Sequence, residues 1–550
     1  MVYKSPFPLL DIPETNILSY VFPDDQTPSN KPIWIDARDP TKSLSPNQAL
    51  TWIKRLGSVL EHLQIPKGEV VMLLTPNHIF VPVAYLGIVG AGRVFSGANP
   101  IYTSTEIEHQ IRNTGTRLIL AHPSLVETAV EAARKAGLGK ESIFQFSDDP
   151  CQLFHGVKDW RDVDVNVDNY SCDPLRETSK RTLATINYSS GTTGLPKGVC
   201  VSHYNIIANS EQTIFIRDQE QPYQPSARPE ERWLGFLPLY HAYGQLYMCV
   251  MAPRMSIPVY IMQKFVYEDF LNCIEKYRIT HLQAAPPILV MLDKRPETSK
   301  YDLSSVKNIL CGAAPLSKEL QNAVSRKFKV NIIQGWGMTE VTCGAIHVPG
   351  GRVDDSGSVG VLDPNCECKL LDDDGREVSA GEPGEMHVKG PQICLGYWKN
   401  PSATQETLDN EGWLKTGDIA VVKNNWFWIV DRKKELIKVN ALQVAPAELE
   451  AVLLEHESIA DAAVVGITLN NEEWPRAYVT LKDESKGKIT EEHIQEWMKE
   501  RVAKHKRLVG GIRFIDEVPK LASGKIQRKV MKDWAKRDAK EMQGLLKARL

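Results

Sequence analysis

Residues 189 to 198 read Ser-Ser-Gly-Thr-Thr-Gly-Leu-Pro-Lys-Gly, directly after the apolar, strand-like stretch Thr182 to Tyr188 and shortly before Ser202, a residue suited to cap a helix N-terminus. A run this rich in glycine and hydroxyls, set between a strand and a helix, has one common physical use. Glycines let several backbone amides turn toward one anion, while hydroxyls and a lysine add donors and charge. The chain is therefore expected to fold as an α/β nucleotide binder around Ser189, Ser190, Gly191, Thr192, Thr193, Gly194 and Lys197. A Walker loop needs four residues between its first glycine and Gly-Lys-Ser/Thr, and no registration of this run supplies them.

The rest of the chain supports layers of sheet and helix. From Glu69 to Leu120 and from Thr182 to Val348, short apolar runs such as Val70 to Leu74 and Asn331 to Ile333 alternate with helix-like segments such as Ser317 to Phe328. Between about 357 and 430 the pattern changes to Asp-Gly and Pro-Gly turns separating short strands, which predicts a small β-rich subdomain. After Asp431-Arg432-Lys433-Lys434 the expectation is a helix over Ala447 to Glu455, a strand over Ala462 to Val465 and a helix over Glu491 to Lys504. The charged region from the 140s to 180 reads as a surface connection.

Composition excludes several classes. With 550 residues, 65 basic against 68 acidic side chains and 42% hydrophobic content, the chain is neither disordered nor a nucleic-acid binder by charge. The ten cysteines show no paired Cys-x-x-Cys spacing, so neither a zinc site nor a disulfide framework is expected, and reduced thiols fit an intracellular compartment. The apolar stretches Ile79 to Gly90 and Leu246 to Met262 are too short or too interrupted to span a membrane, and no secretory signal opens the chain. The last fifty residues hold 15 Lys and Arg against 5 Asp and Glu, which suits a polyanionic ligand or simply solvated helices. The tripeptide Ala548-Arg549-Leu550 resembles a peroxisomal import address, so a peroxisomal location, otherwise cytoplasmic, and an import receptor as partner are the expectation.

Downstream of the loop, Gln334-Gly335-Trp336-Gly337-Met338-Thr339-Glu340 places an aromatic between two glycines, then a hydroxyl and a carboxylate. Small residues let a flat base lie against Trp336, and Glu340 offers oxygen to the magnesium that accompanies phosphates. With these blocks the chain resembles the adenylate-forming acyl-CoA synthetases, of the kind that includes hydroxycinnamate:CoA ligases and beetle luciferases. The resemblance runs through the loop, Leu237 to Gly244, Gly312 to Leu316, the Trp-Gly-Met-Thr-Glu block, Gly412 to Asp418, Asp431 to Glu450 and Pro519 to Lys529.

What the resemblance implies is a large N-terminal domain, residues 1–432, made of two α/β sheet subdomains and the β-rich one, and a small mobile α+β C-terminal domain, residues 433–550, hinged near Lys434. A carboxylic acid would attack the α-phosphate of ATP, with Mg2+ bound, to give acyl-AMP and pyrophosphate, and coenzyme A would then take the acyl group. Lys525 would be the adenylation lysine, Asp418 would accept from the ribose hydroxyls, and Arg432 would lie nearby. Gly312, Ala313, Ala314, Gly335, Trp336, Gly337 and Thr339 would line the nucleotide site, with Thr339 among the catalytic groups and Glu340 on the metal. Lys438 and Gln443 would serve thioester formation after rotation, and His241 would orient the carboxylate.

By the same resemblance the acyl pocket draws on Ala242, Tyr243, Gln283, Leu310, Cys343, Gly344 and Ala345. Leu310 stands where the hydroxycinnamate ligases carry a lysine for the phenol, and Cys343-Gly344-Ala345 is smaller than their Pro-Val-Leu type, so the expected acid is apolar, medium-chain or aryl. Ala441 stands where those ligases commonly have glycine, which bears on the thioester step. Three alternatives stay open at this point: an enzyme loading a phosphopantetheine carrier protein, a luciferase-like oxygenase, and a catalytically silent nucleotide-binding scaffold.

Overall fold

The computed structural model describes residues 2–548 except 168–169, 171, 190–195, 221–229, 440–441, 470–471 and 522–523. Two large sheets form the N-terminal body. In the first, Val94–Ala98, Val70–Leu74, Leu118–Ala121 and Ile143–Gln145 run parallel, and Leu183–Ser189 joins Val94–Ala98 in the same sense. Every residue of Val70–Leu74 is buried, as expected of a central parallel strand covered by helices on both faces. The second sheet has nine strands, with Trp233–Gly235, His281–Ala284, Asn308–Cys311 and Asn331–Trp336 parallel at its centre.

The β-rich subdomain is an antiparallel five-stranded sheet that recruits the N-terminal strand Tyr3–Lys4 beside Glu367–Leu371, Gly384–Lys389, Leu414–Lys423 and Trp426–Arg432. Beyond Arg432 the hairpin Ile437–Val439 with Leu442–Val444, a three-stranded sheet and the helices Pro446–Glu455, Glu491–Lys499 and Arg528–Ala548 make the C-terminal part. It buries its own apolar core, including Leu449, Leu453, Ile494 and Met498. No described helix is long and apolar enough to cross a membrane.

Three local expectations are corrected. The phosphate-loop run is followed by a second strand, Lys197–Ser202, antiparallel to Leu183–Ser189, before the helix His203–Arg217 begins. Its Val199-Cys200-Val201 core is buried and holds two β-branched valines, which favours a ladder over a direct entry into helix. Ser202 does cap that helix, in a reciprocal box with Asn205. The segment from the 140s to 180 is more than a surface connection: Phe146, Val157 and Trp160 are buried in it. Arg161 lies over the rings of Trp52, Phe80 and Trp160, so the charge that reads as surface is a guanidinium packed on aromatics. The helix from Glu491 ends at Lys499 rather than Lys504, because its buried stripe ends at Met498 and the following Arg501, Lys504 and Lys506 gain nothing by continuing.

Candidate active site

Where the two parts meet, a cleft of about 420 Å3 is lined by Tyr188, Lys197, His241, Thr339, Glu340, Tyr397, Arg432, Lys434 and Lys525, among others. Lys525 reaches it from a tight turn in which Gly524 N–H donates to the Leu521 carbonyl at 2.8 Å and Leu521 N–H donates to the Lys525 carbonyl at 2.8 Å. The turn needs Gly524 at φ +84°, and a side chain there would also press within 3.0 Å of Ala285 Cβ on the N-terminal body. Burial, and then the Arg432 guanidinium, push the Lys525 ammonium down to about 8; Glu340 and Asp418 oppose the shift.

Asp418 stands opposite Arg432 across the Leu414–Lys423 and Trp426–Arg432 pair. Its Oδ2 accepts from the Trp336 indole N–H at 2.8 Å, while Oδ1 lies 3.3 Å from Arg432 Nε yet is buried with no hydrogen-bond partner. A buried carboxylate oxygen without a donor costs about 1–3 kcal/mol. Oδ1 therefore has its ion-pair contact with Arg432 but acceptor capacity left for a hydroxyl donor. Trp336 itself is 7% exposed and packs into the core of the β-rich subdomain.

Glu340 is 6% exposed, and its Oε1 accepts from the Tyr397 hydroxyl at 2.7 Å. The ring of Tyr397 lies 4.9 Å from Lys197 Nζ. No local pattern beyond the run Gly396-Tyr397-Trp398 marks this tyrosine, which falls in the turn-rich region. Among the described residues no three His, Cys, Asp or Glu side chains gather to hold a metal. Of the carboxylates lining the cleft, Glu340, Glu385 and Glu406, Glu385 is engaged by Lys433, while Glu340 has a second oxygen that would suit a hard cation such as magnesium.

His241 is held by a loop that folds back on itself: its N–H donates to Pro238, and its Nδ1 accepts from Tyr243 N–H at 3.4 Å. Burial, then the charge of Lys525, depress the imidazole to about 4, so it is neutral near pH 7 with its proton on Nε2. Gln245 ties this loop to the first sheet by paired amide bonds with Asn187 and a 2.6 Å bond to the Tyr240 carbonyl.

Behind the cleft, Tyr243, Leu310 and Cys343 pack against one apolar cluster, and the Tyr243 hydroxyl donates to the Leu310 carbonyl at 3.2 Å. Gln283 is in register with Leu310 on the adjacent strand, and its Oε1 is buried without a partner. Gly337 is obligatory here, since a Cβ would sit 1.7 Å from the Cys343 carbonyl oxygen. Asn209 clamps Gly344 through both its backbone groups, and Ala345 is fully buried. Ala242 lines the cleft, while Gly312, Ala313 and Ala314 are half-buried, with Ala313 at φ +72°.

Lys438 and Gln443 pair with each other on the exposed hairpin and do not line the cleft. Lys434 does, although it is exposed, while its neighbour Lys433 is pinned to Asp373 and Glu385. Ser190 to Gly194, Ala441, Arg549 and Leu550 lie outside the described residues.

The chain is similar to known proteins over nearly its whole length. The AMP-binding enzyme family profile matches residues 24–398, and the AMP-binding enzyme C-terminal domain profile matches 448–525. A phenylacetyl-CoA ligase of Aspergillus niger is 36% identical, covering 96% of this chain and 98% of the relative. A 4-coumarate-CoA ligase of Narcissus pseudonarcissus is 35% identical, covering 96% of each. Among solved structures, the anthranilate CoA ligase AuaEII with anthranoyl-AMP superposes with a TM-score of 0.84 at 24% identity, covering 96% of this chain and 98% of that one. ATP-bound MatB from Rhodopseudomonas palustris gives 0.82 at 24%, covering 95% and 99%.

Proposed function

The chain belongs to the AMP-binding enzyme family, and from that premise we propose that it is an ATP-dependent acyl-CoA ligase acting on an apolar carboxylic acid, medium-chain or aryl. The observation that carries the reading is Lys525, in the same cleft as Glu340, Arg432 and His241 and within reach of the charge of Asp418. Carboxylate and triphosphate are both anionic, so their approach needs a cation held beside the bond that forms, and an ammonium half-buried in the cleft does this with little solvent reorganisation. Magnesium on Glu340 would screen the phosphates and act as a Lewis acid. Asp418 Oδ1 accepts a ribose hydroxyl, Arg432 adds charge beside it, and Lys197 helps hold the leaving pyrophosphate. Neutral His241 orients the acid without pairing it off as a salt.

Thioester formation requires room for the coenzyme A thiol where Lys525 now sits. Rotation about Lys434 withdraws Lys525 and brings in the hairpin carrying Lys438 and Gln443. The apolar neighbours of Tyr243, Leu310 and Cys343 favour an apolar acyl group, each buried methylene contributing about 0.8 kcal/mol. The test is incubation with ATP, Mg2+, a panel of medium-chain, benzoic, phenylacetic and cinnamic acids, and either coenzyme A or a phosphopantetheinylated carrier protein. Acyl-CoA and AMP are the expected products; thioester on the carrier alone would overturn the acceptor. We also propose a peroxisomal address in Ala548-Arg549-Leu550, tested by moving it to a fluorescent reporter, where diffuse signal would refute it.

A further inference from the structure

We propose that Tyr397 is a positioning residue for adenylation, coupling the carboxylate that serves the metal to the lysine that serves the leaving phosphates. This rests on the roles given above to Glu340 and Lys197. Tyr397 sits on the short strand Gly396–Tyr397, in register with Val199 of Lys197–Ser202, so its backbone is fixed to the strand that begins at Lys197. Its N–H donates to Thr404 Oγ1 at 2.9 Å, which fixes it from the other side. From that anchor the side chain enters the cleft and does two things at once. The hydroxyl donates to Glu340 Oε1 at 2.7 Å, and the ring face lies 4.9 Å from Lys197 Nζ.

Both interactions have an electrostatic consequence. The hydrogen bond fixes the orientation of Glu340 by engaging one of its two oxygens. The ring attracts the Lys197 ammonium without neutralising it, as a carboxylate would, and leaves its full charge for phosphate. A single rigid side chain thus sets the position of both charges, one of each sign, that must converge on the metal–triphosphate unit.

The test measures binding rather than turnover. Calorimetric titration of the full-length protein with a non-hydrolysable ATP analogue across a Mg2+ series gives the Mg2+ midpoint for wild type, Tyr397→Phe, Tyr397→Leu and Glu340→Gln. Tyr397→Phe is expected to raise the midpoint roughly tenfold, with analogue affinity at saturating Mg2+ within about threefold of wild type. Tyr397→Leu, which also loses the ring, is expected to weaken pyrophosphate binding a further threefold or more while leaving AMP unaffected. In a Glu340→Gln background, Tyr397→Phe should move the midpoint little. An unmoved midpoint in Tyr397→Phe, or an equal shift in both backgrounds, overturns the proposal. A Glu340→Gln protein with an unaltered Mg2+ midpoint instead overturns the role of Glu340. Since Tyr397→Phe keeps the ring and its packing, an unchanged melting temperature separates positioning from loss of fold.

Discussion

Trp336→Phe isolates the part of the site that orients the ribose acceptor. The substitution keeps an aromatic ring in the core of the β-rich subdomain but removes the 2.8 Å indole hydrogen bond to Asp418 Oδ2. Asp418 is 4% exposed, so the freed oxygen gains no water in exchange. A hydrogen bond to a buried carboxylate contributes about 1.5–3 kcal/mol. Part of that appears as lost stability and part as a carboxylate free to swing toward Arg432, already 3.3 Å from Oδ1. If half of it reaches the ligand, AMP affinity falls by a factor of about 3–10, at 1.4 kcal/mol per tenfold. Calorimetric titration with AMP measures this, and pyrophosphate, which has no ribose, is the control whose affinity should hold. Unchanged AMP affinity with a lowered melting temperature would refute the reasoning, since Trp336 would then serve the core alone.

Two further predictions follow from individual groups. Lys525 must be protonated to act as a cation and burial holds it at about 8, so kcat/KM for acid-dependent pyrophosphate exchange should fall as pH rises through about 8. Because bound triphosphate favours the ammonium, the break in kcat should lie at higher pH; a kcat/KM profile flat to pH 10 would contradict the assignment. Gln283→Leu removes a buried Oε1 that has no partner, so it should stabilise the protein by about 1 kcal/mol, read as a raised unfolding midpoint. A lowered midpoint would show that the amide is satisfied in solution.

Periodicity made the central strands legible: Val70 to Leu74 is fully apolar and is observed with those bounds, and Ser317 and Ser202 cap helices where their hydroxyls suggest. The antiparallel Lys197–Ser202 was not legible, because a β-branched run beside a helix cap reads equally as either until its partner strand is known. The buried Trp160 and the Arg161 packed beside it were hidden for a related reason: local charge density reports nothing about rings brought from Trp52 and Phe80. In the site, Lys525, Glu340, Arg432 and His241 gather from segments far apart in the chain. Spacing alone could not bring them together; the ordered motifs of a resemblance did. Tyr397 is not legible in the sequence because its meaning lies in two contacts, to Glu340 and Lys197, that no local pattern encodes.

The central claim is that Lys525 serves acyl-AMP formation and leaves before the thioester step. Lys525→Ala, assayed separately for acid-dependent pyrophosphate exchange and for coenzyme A transfer from synthetic acyl-adenylate, tests it most directly. Loss of exchange by a factor of about 100 or more with transfer within about threefold of wild type is the predicted result. Equal loss of both half-reactions, or exchange that survives, would contradict it.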